Sequence, residues 1–377
     1  RHTRLQSIDA LRGLVMLFML LDHVRETFFL HRQVSDPMDA LSVEPALFFT
    51  RMLSALCAPV FILLTGLSAW LHCQKNSRRD TSLFLLKRGV FLVLLELTLV
   101  NLAWNGTLLG QTLWLQVIWC IGICMIVLAA ALHLPRVVLV GMGALIVGGH
   151  NLLDSLVLTP DSPWFAPWAI LHQREFIDLG GVTRARTTYP VLPWIGVILL
   201  GWGIGPWFAR RTAPARRMSL LLGWGVGLLL AFVGLRYLNG YGEQSWVATG
   251  DTLRTTMSFL SARKYPPSLM FLLPTLGKCL VLLAVLERYQ ARRVVPLLAL
   301  FGAAPMFFYL LHLYVLKALY LVAVALWGLN QGDYFGFDHV SGVWLCSVLL
   351  AFALYYPTRW FAALKQRRRD IAWLKYF

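Results

Sequence analysis

Residues 4–29 read RLQSIDALRGLVMLFMLLDHVRETFF, an apolar segment that carries ionisable side chains at both ends. A segment of about twenty predominantly apolar residues is long enough to cross the hydrocarbon core of a bilayer as a helix. Similar runs recur along the chain, since 58% of its 377 residues are hydrophobic. We therefore predict an all-α, polytopic integral membrane protein, because a helix satisfies its own backbone polar groups within lipid.

The apolar runs predict about ten transmembrane helices in a single domain that covers residues 1–377. They lie at 6–30, 46–72, 83–103, 113–132, 136–150, 190–209, 218–238, 268–286, 296–327 and 341–362. The first run lacks the small-x-small cleavage site of a signal peptide and is followed by further spans, so we expect it to be retained.

The charges of the connections predict how these helices are oriented. The basic connections are KNSRRD at 75–80, ARRTAPARR at 209–217, ERYQARR at 287–293 and KQRRRD at 365–370. They alternate with acidic or mixed connections, so the positive-inside rule places both termini in the cytoplasm and requires an even number of spans. We expect a multi-pass protein of the bacterial inner membrane, in contact with membrane lipids. The basic connections account for the net charge of +16, so we do not expect nucleic acid to be a partner.

Two glycine-rich segments predict close packing between helices. PWIGVILLGWGIGPWF at 193–208 lacks the Lys-Ser/Thr ending of a phosphate-binding loop, and Gly223-x-x-x-Gly227 has the spacing of close helix contacts. The six cysteines lie almost wholly in apolar runs, so we predict neither a disulfide framework nor a metal site.

One polar stripe runs along the first helix. Arg12 and His23 are eleven residues apart, which places them within roughly 20° of each other on the helix surface and about 16 Å apart along its axis. Asp9 lies one turn before Arg12 and can pair with it. Ionisable residues within a span are candidates for a functional site, because they usually face a cavity or one another.

Each charge in this stripe also has a structural interpretation. Asp9 and Arg12 suit an interfacial ion pair, and Arg25 and Glu26 suit a charge pair at the end of the helix. His23 suits a structural histidine that is satisfied by a neighbouring helix. In its neutral form it equally suits a general base that activates a hydroxyl or an amine near neutral pH. Asp22 is then the nearest carboxylate to orient its ring; alternatively, Asp22 holds Arg25 and another acid supports His23.

Polar residues elsewhere supply further candidates. The candidates for substrate binding include Arg25, in the first helix. The others are Asp36 and Asp39 in SDPMD, Asn151 and Asp154 in GHNLLD, Lys264 and Tyr265 in RKYPPS, and Tyr309 in PMFFYLLHLY. Asp36 and Asp39 are equally well explained as caps of the following helix. His312 is a second histidine within an apolar run and a second catalytic candidate, for which a packing role is equally consistent.

At SIDALRGLVMLFMLLDH the sequence resembles the transmembrane acyltransferase superfamily, whose first helix opens (L/I)D-x-(L/F)RG. Arg12-x10-His23 is similar to the arginine–histidine motif of the family-three membrane acyltransferases. Further runs resemble the heparan-α-glucosaminide N-acetyltransferase-like bacterial membrane proteins. These runs are DPMD, PALFFTR, CAPVFILLTG, GHNLLD, YPVLPWIGVILLGWG, KYPPSLMFLL and PMFFYLLHLY.

The resemblance implies transfer of an acyl group, acetyl being expected, from cytoplasmic acetyl-CoA or another acyl-CoA to a hydroxyl or amine on the far side. The acceptor implied is a carbohydrate or a lipid-linked molecule. His23 corresponds to the catalytic histidine and Arg12 to the CoA-binding end of the helix, beside Asp9. Lys87 and Arg88 are expected to contact the donor's phosphates. A homo-oligomer is compatible with this organisation.

One segment departs from the resemblance. The lysosomal heparan-type enzymes carry a luminal histidine in an H-x-x-W-x-G context after the first helix, whereas residues 34–49 here read VSDPMDALSVEPALFF. Either His23 takes over as the base, or this subgroup has a different reaction.

Two other classes of function fit the same sequence. A transporter or flippase would use the polar stripe as a permeation or proton path. A scaffold or assembly subunit would use the helices for packing alone.

Overall fold

The computed structural model describes residues 6–108 and 110–377, and most of them are helical. The α-helices are α1 Gln6–Phe28, α2 Pro45–Ser54, α3 Cys57–Cys73, α4 Arg78–Leu95, α5 Asn101–Asn105, α6 Val117–Ala131, α7 Arg136–Gly149, α8 Phe165–Leu171, α9 Leu192–Gly203, α10 Pro214–Leu238, α11 Thr252–Leu260, α12 Leu269–Arg288, α13 Val294–Ala303, α14 Pro305–Trp327 and α15 Val340–Arg367. A π-helical turn, Glu96–Val100, joins α4 to α5.

A small sheet accompanies the helices. Its strands are β1 Thr112–Leu115, β2 Phe176–Asp178 and β3 Arg184–Thr187, in the order β1-β3-β2. β3 pairs in parallel with β1, Thr112 opposite Arg184, and antiparallel with β2, Phe176 opposite Arg186.

Within the described residues, six helical segments are long and apolar enough to cross a membrane, when α2 and α3 count as one segment and α7 is taken with the 3-10 turn that follows it. They are Pro45–Cys73, Arg136–Leu153, Pro214–Leu238, Leu269–Arg288, Pro305–Trp327 and Val340–Arg367. Shorter apolar helices occur at Val117–Ala131, Leu192–Phe208 and Val294–Ala303. The protein is thus a polytopic, predominantly α-helical membrane protein, as predicted, while ten spans and two cytoplasmic termini stay predictions.

Several predicted boundaries are wrong, among them the following three. The run 296–327 is two helices, because the chain breaks at Ala304 and restarts with Pro305 at the first helical position. Residues 112–115 form a strand rather than the start of a helix. α4 begins at Arg78 rather than near residue 83, because the side chain of Ser77 accepts a hydrogen bond from the backbone N–H of Asp80.

The chain forms two compact units, which we describe separately. The first comprises residues up to Cys57 together with Leu282–Phe377, and the second comprises Ala58–Val281. In the first unit α1 packs against α13, α14 and α15. At the crossing of α1 and α13, a methyl group on Gly13 would overlap the carbonyl oxygen of Leu298, and one on Gly302 would overlap that of Asp9.

Paired glycines also mark helix crossings in the second unit. Gly89 of α4 faces Gly122 of α6, and added Cβ atoms there would lie 2.6 and 2.7 Å from the opposite carbonyl oxygens. The close packing predicted for 193–208 is confirmed, since the glycines of that segment all have a neighbour within such distances. The prediction for Gly223 and Gly227 is wrong. Both face open space, whereas Gly225, roughly 200° around the helix, packs against α12.

Candidate active site

The first helix carries its polar stripe as one continuous element of the first unit. Arg12 donates from Nη1 to Asp9 Oδ1 over 2.9 Å and to the carbonyl oxygen of Gly302 over 3.4 Å. The Arg12 side chain is 18% exposed. The predicted Asp9–Arg12 pair therefore exists, and it lies where α1 crosses α13.

His23 meets the second candidate histidine. Nδ1 of His23 lies 2.6 Å from Nε2 of His312, although the two residues are 289 positions apart in the chain. The rings are nearly parallel, and Tyr309 packs edge-on against both. His312 is fully buried, whereas 8% of His23 is exposed. The two histidines therefore form a buried contact between α1 and α14.

The hydrogen bonds define the tautomers of this pair. Nδ1 of His312 lies 2.7 Å from the carbonyl oxygen of Phe308, so it must carry the proton that it donates there. In neutral His312, Nε2 is then the acceptor, and Nδ1 of His23 is the donor to it. In the neutral form, the basic nitrogen of His23 is then Nε2.

Asp22 joins an arginine cluster. Its Oδ1 accepts from Arg25 Nε over 3.0 Å, and its Oδ2 accepts from Arg51 Nη1 over 2.6 Å. Arg25 also donates to Glu26 Oε1 over 3.1 Å. The geometry corresponds to the alternative in which Asp22 holds Arg25, and Arg51 is a partner that the sequence did not indicate. Pairing of this kind makes buried charges tolerable in a membrane helix.

Asp39 organises a local turn in the connection before α2. Its Oδ1 accepts from the backbone N–H of Leu41, and its Oδ2 accepts from the hydroxyl of Ser42. Asp36 lies three residues earlier, before Pro37, in the same connection. The turn ends ahead of α2, which begins at Pro45, so Asp39 caps a turn rather than that helix.

A second polar cluster lies in the second unit and contains two predicted residues. Asp154 Oδ1 accepts from His172 Nε2 over 2.9 Å, while its Oδ2 accepts from Arg263 Nη2 over 2.7 Å and from Asn151 Nδ2 over 3.0 Å. Asn151 also accepts from the backbone N–H of Leu269. Burial alone would raise the pKa of Asp154, but these hydrogen bonds and the charge of Arg263 lower it to about 2.

Lys264 and Tyr265 lie together with two residues that the sequence did not indicate. The Nζ of Lys264 is 5.1 Å from the centre of the Tyr265 ring, and the guanidinium carbon of Arg174 is 4.7 Å from it. The Tyr189 ring packs edge-on against Tyr265. Lys87 and Arg88 lie within α4 rather than in a connection, with Lys87 exposed.

Sequence reasoning missed Arg51, His172, Arg174 and Arg263 as partners of candidate residues. The only signal for His172 and Arg174 is that LHQRE is polar and follows an aromatic run. In residues 6–108 and 110–377, no three His, Cys, Asp or Glu side chains are grouped as metal ligands.

The described residues form a polytopic helical protein in which a histidine pair is buried between α1 and α14. Residues 4–242 match the family model for the catalytic domain of heparan-α-glucosaminide N-acetyltransferase, and the chain belongs to that family. The match covers His23 and Asp154 and ends before His312. It supports membrane acetyltransferase activity and gives no support to a transporter. The comparison with curated proteins finds no match.

Proposed function

We propose that the protein transfers an acetyl group from cytoplasmic acetyl-CoA to a hydroxyl or amine of a sugar on the far side of the membrane, with His23 as the general base. The family supports acetyl transfer. The observation that carries the assignment of the base is the 2.6 Å contact between His23 Nδ1 and His312 Nε2.

The proposed step transfers one proton and one acyl group. Nε2 of His23 accepts the proton of the acceptor's hydroxyl or amine as its oxygen or nitrogen attacks the thioester carbonyl. The tetrahedral intermediate then collapses and the C–S bond breaks. The CoA sulfur leaves with the proton returned by the His23 imidazolium, so the enzyme ends in its starting state.

His312 is a positioning residue in this scheme. Its bond from Nδ1 to the Phe308 carbonyl presents the Nε2 lone pair to His23, which holds the proton of His23 on Nδ1. This is the orienting role first considered for Asp22, whose carboxylate instead compensates Arg25 and Arg51.

Arg12 is proposed to contact the phosphates of CoA from the other end of α1. The Arg12 guanidinium is 18% exposed and held by Asp9, and the planar fork of a guanidinium matches phosphate oxygens. Lys87 and Arg88 are proposed as further phosphate contacts. Asn151 and Asp154 are proposed to serve the acceptor.

The experiment uses purified protein with radiolabelled acetyl-CoA and two acceptors, glucuronate and glucosamine. We expect acetylation of one of them, and loss of at least about a hundredfold in rate in His23→Ala, because general bases contribute that much or more. Incorporation into glucosamine alone identifies N-acetylation. Release of CoA and labelling of acceptor at the wild-type rate in His23→Ala would contradict the assignment of the base.

A further inference from the structure

The connection between α7 and α9, together with the connection between α11 and α12, gathers positive charge around one aromatic ring. The Tyr265 ring has Arg174 at 4.7 Å and Lys264 at 5.1 Å from its centre, so two cations lie close to the same tyrosine. Lys264 is only 6% exposed. A third cation, Arg186, lies over Phe176 at 4.4 Å, on the strand that pairs with β2.

Among the described residues, two of these cations, Arg174 and Arg186, are not ion-paired, although the carboxylate of Glu175 lies near Arg186. In the part of the chain that the structure describes, neither Arg174 nor Arg186 forms a salt bridge. Burial and the positive charge of Arg174 lower the pKa of Arg186, and only Glu175 acts in the opposite direction. Like charges held together in a partly desolvated place favour a bound anion.

Unused hydrogen-bond donors lie in the same segment. The Nε of Arg174 and the hydroxyl of Thr188 are buried and have no hydrogen-bond partner among residues 6–108 and 110–377. Thr188 is 7% exposed, and an unsatisfied hydroxyl at that depth costs free energy unless a ligand completes it. Thr188 adjoins Tyr189, whose ring packs edge-on against Tyr265.

We propose that Arg174, Arg186 and Thr188 bind an anionic group, a carboxylate or a phosphate, on the acceptor. A planar guanidinium presents paired donors that match two oxygens of either anion. Tyr265 and Tyr189 offer aromatic surface beside that group, which suits the body of a sugar. The assignment of this anionic group to the acceptor rests on the proposed acyl transfer. The anion site itself rests on the contacts alone.

The test measures binding directly, by calorimetry on the full chain in phosphatidylcholine nanodiscs. The probes are glucuronate, inorganic phosphate and neutral glucose. We expect at least one anion to bind and glucose to bind about tenfold more weakly or not at all. Binding of glucuronate identifies a carboxylate on the acceptor, and binding of phosphate identifies a phosphorylated one.

Matched variants separate the site from general charge effects. Arg174→Gln and Arg186→Gln should each weaken anion binding about tenfold, whereas Arg79→Gln removes an exposed charge at the start of α4 and should not. Thr188→Val should weaken binding without a change in charge, and Arg174→Lys should retain part of it. Equal affinity in Arg79→Gln, Arg174→Gln and Arg186→Gln, or no anion binding in the wild type, would overturn the proposal.

The same measurement distinguishes the two proposals. Anion binding that persists in His23→Ala, while acyl transfer is lost, supports both. Anion binding by a wild-type protein that transfers no acetyl group overturns the acyl-transfer proposal and still supports the anion site.

Discussion

His23 and Asp22 are neighbours in the sequence, but their side chains join different networks. Adjacent helical residues point about 100° apart, so one can face α14 while the other faces the arginines of α1 and α2. His23 contacts His312, and Asp22 contacts Arg25 and Arg51. The orientation of His23 is thus set by a neutral ring, and the carboxylate serves to compensate charge.

Substitutions of His312 test this arrangement at the scale of one residue. His312→Phe removes the acceptor for His23 Nδ1, so His23 loses its fixed tautomer and we expect kcat to fall by about a hundredfold or more. His312→Gln keeps an acceptor and a donor, and we expect it to remain within about tenfold of the wild type.

The steady-state parameters separate positioning from simple damage. The KM for acetyl-CoA should change little in either variant, because donor binding is assigned to Arg12 and its surroundings. An equal loss in His312→Phe and His312→Gln would contradict the tautomer argument. A rise in KM with unchanged kcat would do so as well.

The contacts of the candidate site that could be predicted are those between residues close together in the sequence. Asp9 with Arg12, and Asp22 with Arg25, are three residues apart on a helix and meet for that reason alone. The contact between His23 and His312 depends on how α1 and α14 pack, and no sequence period encodes it. The signal that identified His312 was its position inside an apolar run.

The pKa of Asp154 predicts how the stability of the folded protein depends on pH. Its pKa is about 2 in the folded protein against 3.8 ordinarily, so its contribution is complete above about pH 4 and is lost as the pH falls towards 2. The full shift corresponds to at most about 2 kcal/mol of unfolding free energy, reduced by solvent screening. Thermal unfolding from pH 6 to pH 3 should therefore show a smaller acid-induced loss in Asp154→Asn than in the wild type.

Asp161 supplies the control for that measurement. It is an exposed acid of the same connection, and Asp161→Asn should follow the wild-type curve. Parallel curves for Asp154→Asn and the wild type would show that the contacts of Asp154 with His172 and Arg263 do not stabilise the fold.

At the scale of the elements, glycine pairs determine how closely the helices approach. Gly13 with Gly302, Gly89 with Gly122, and Gly225 with Gly277 let backbones meet where a methyl group would collide with a carbonyl oxygen or the facing side chains. Lipid offers no hydrophobic drive for helix association, so close van der Waals packing takes its place. Arg12 adjoins the first of these crossings, and its bond to the Gly302 carbonyl depends on it.

Gly13→Ala should destabilise the protein by about 1–3 kcal/mol, because its methyl group would overlap the Leu298 carbonyl oxygen and force α1 and α13 apart. Gly227→Ala is the matched control, since that position faces open space and alanine favours a helix by about 1 kcal/mol over glycine. Unfolding in detergent measures both. Equal stability of Gly13→Ala and the wild type would contradict the close crossing.

The elements that sequence analysis missed depend on distant side chains. Asn101 donates to and accepts from the backbone of Trp114, which helps to fix the strand β1 in a run that reads as helical. The fully buried Glu96 accepts from the backbone N–H of Trp119 and so caps α6 from the π-helical turn. Neither residue stands in the segment whose structure it determines, so local patterns cannot reveal the effect.

At the scale of the whole molecule, the two candidate sites belong to different units and different parts of the chain. The histidine pair joins the first helix to α14, near the other end of the chain, whereas Asp154 and its partners lie within Ala58–Val281. The family match includes His23 but not His312. A fragment that ended at residue 242 would contain the proposed base without the residue that positions it.

The orientation in the membrane is the last property that the proposed reaction needs. Basic connections at 75–80, 209–217, 287–293 and 365–370 predict that both termini are cytoplasmic, which places the Arg12 end of α1 towards cytoplasmic acyl-CoA. A green fluorescent protein fused after Phe377 should therefore fluoresce, and alkaline phosphatase inserted after Asp161 should be active. As internal controls, phosphatase at residue 211 should be inactive and fluorescent protein at 161 dark. The opposite pattern would place Arg12 away from the donor, so transfer across the membrane in the proposed direction would be wrong, while the assignment of His23 as a base would stand on the His312 contact.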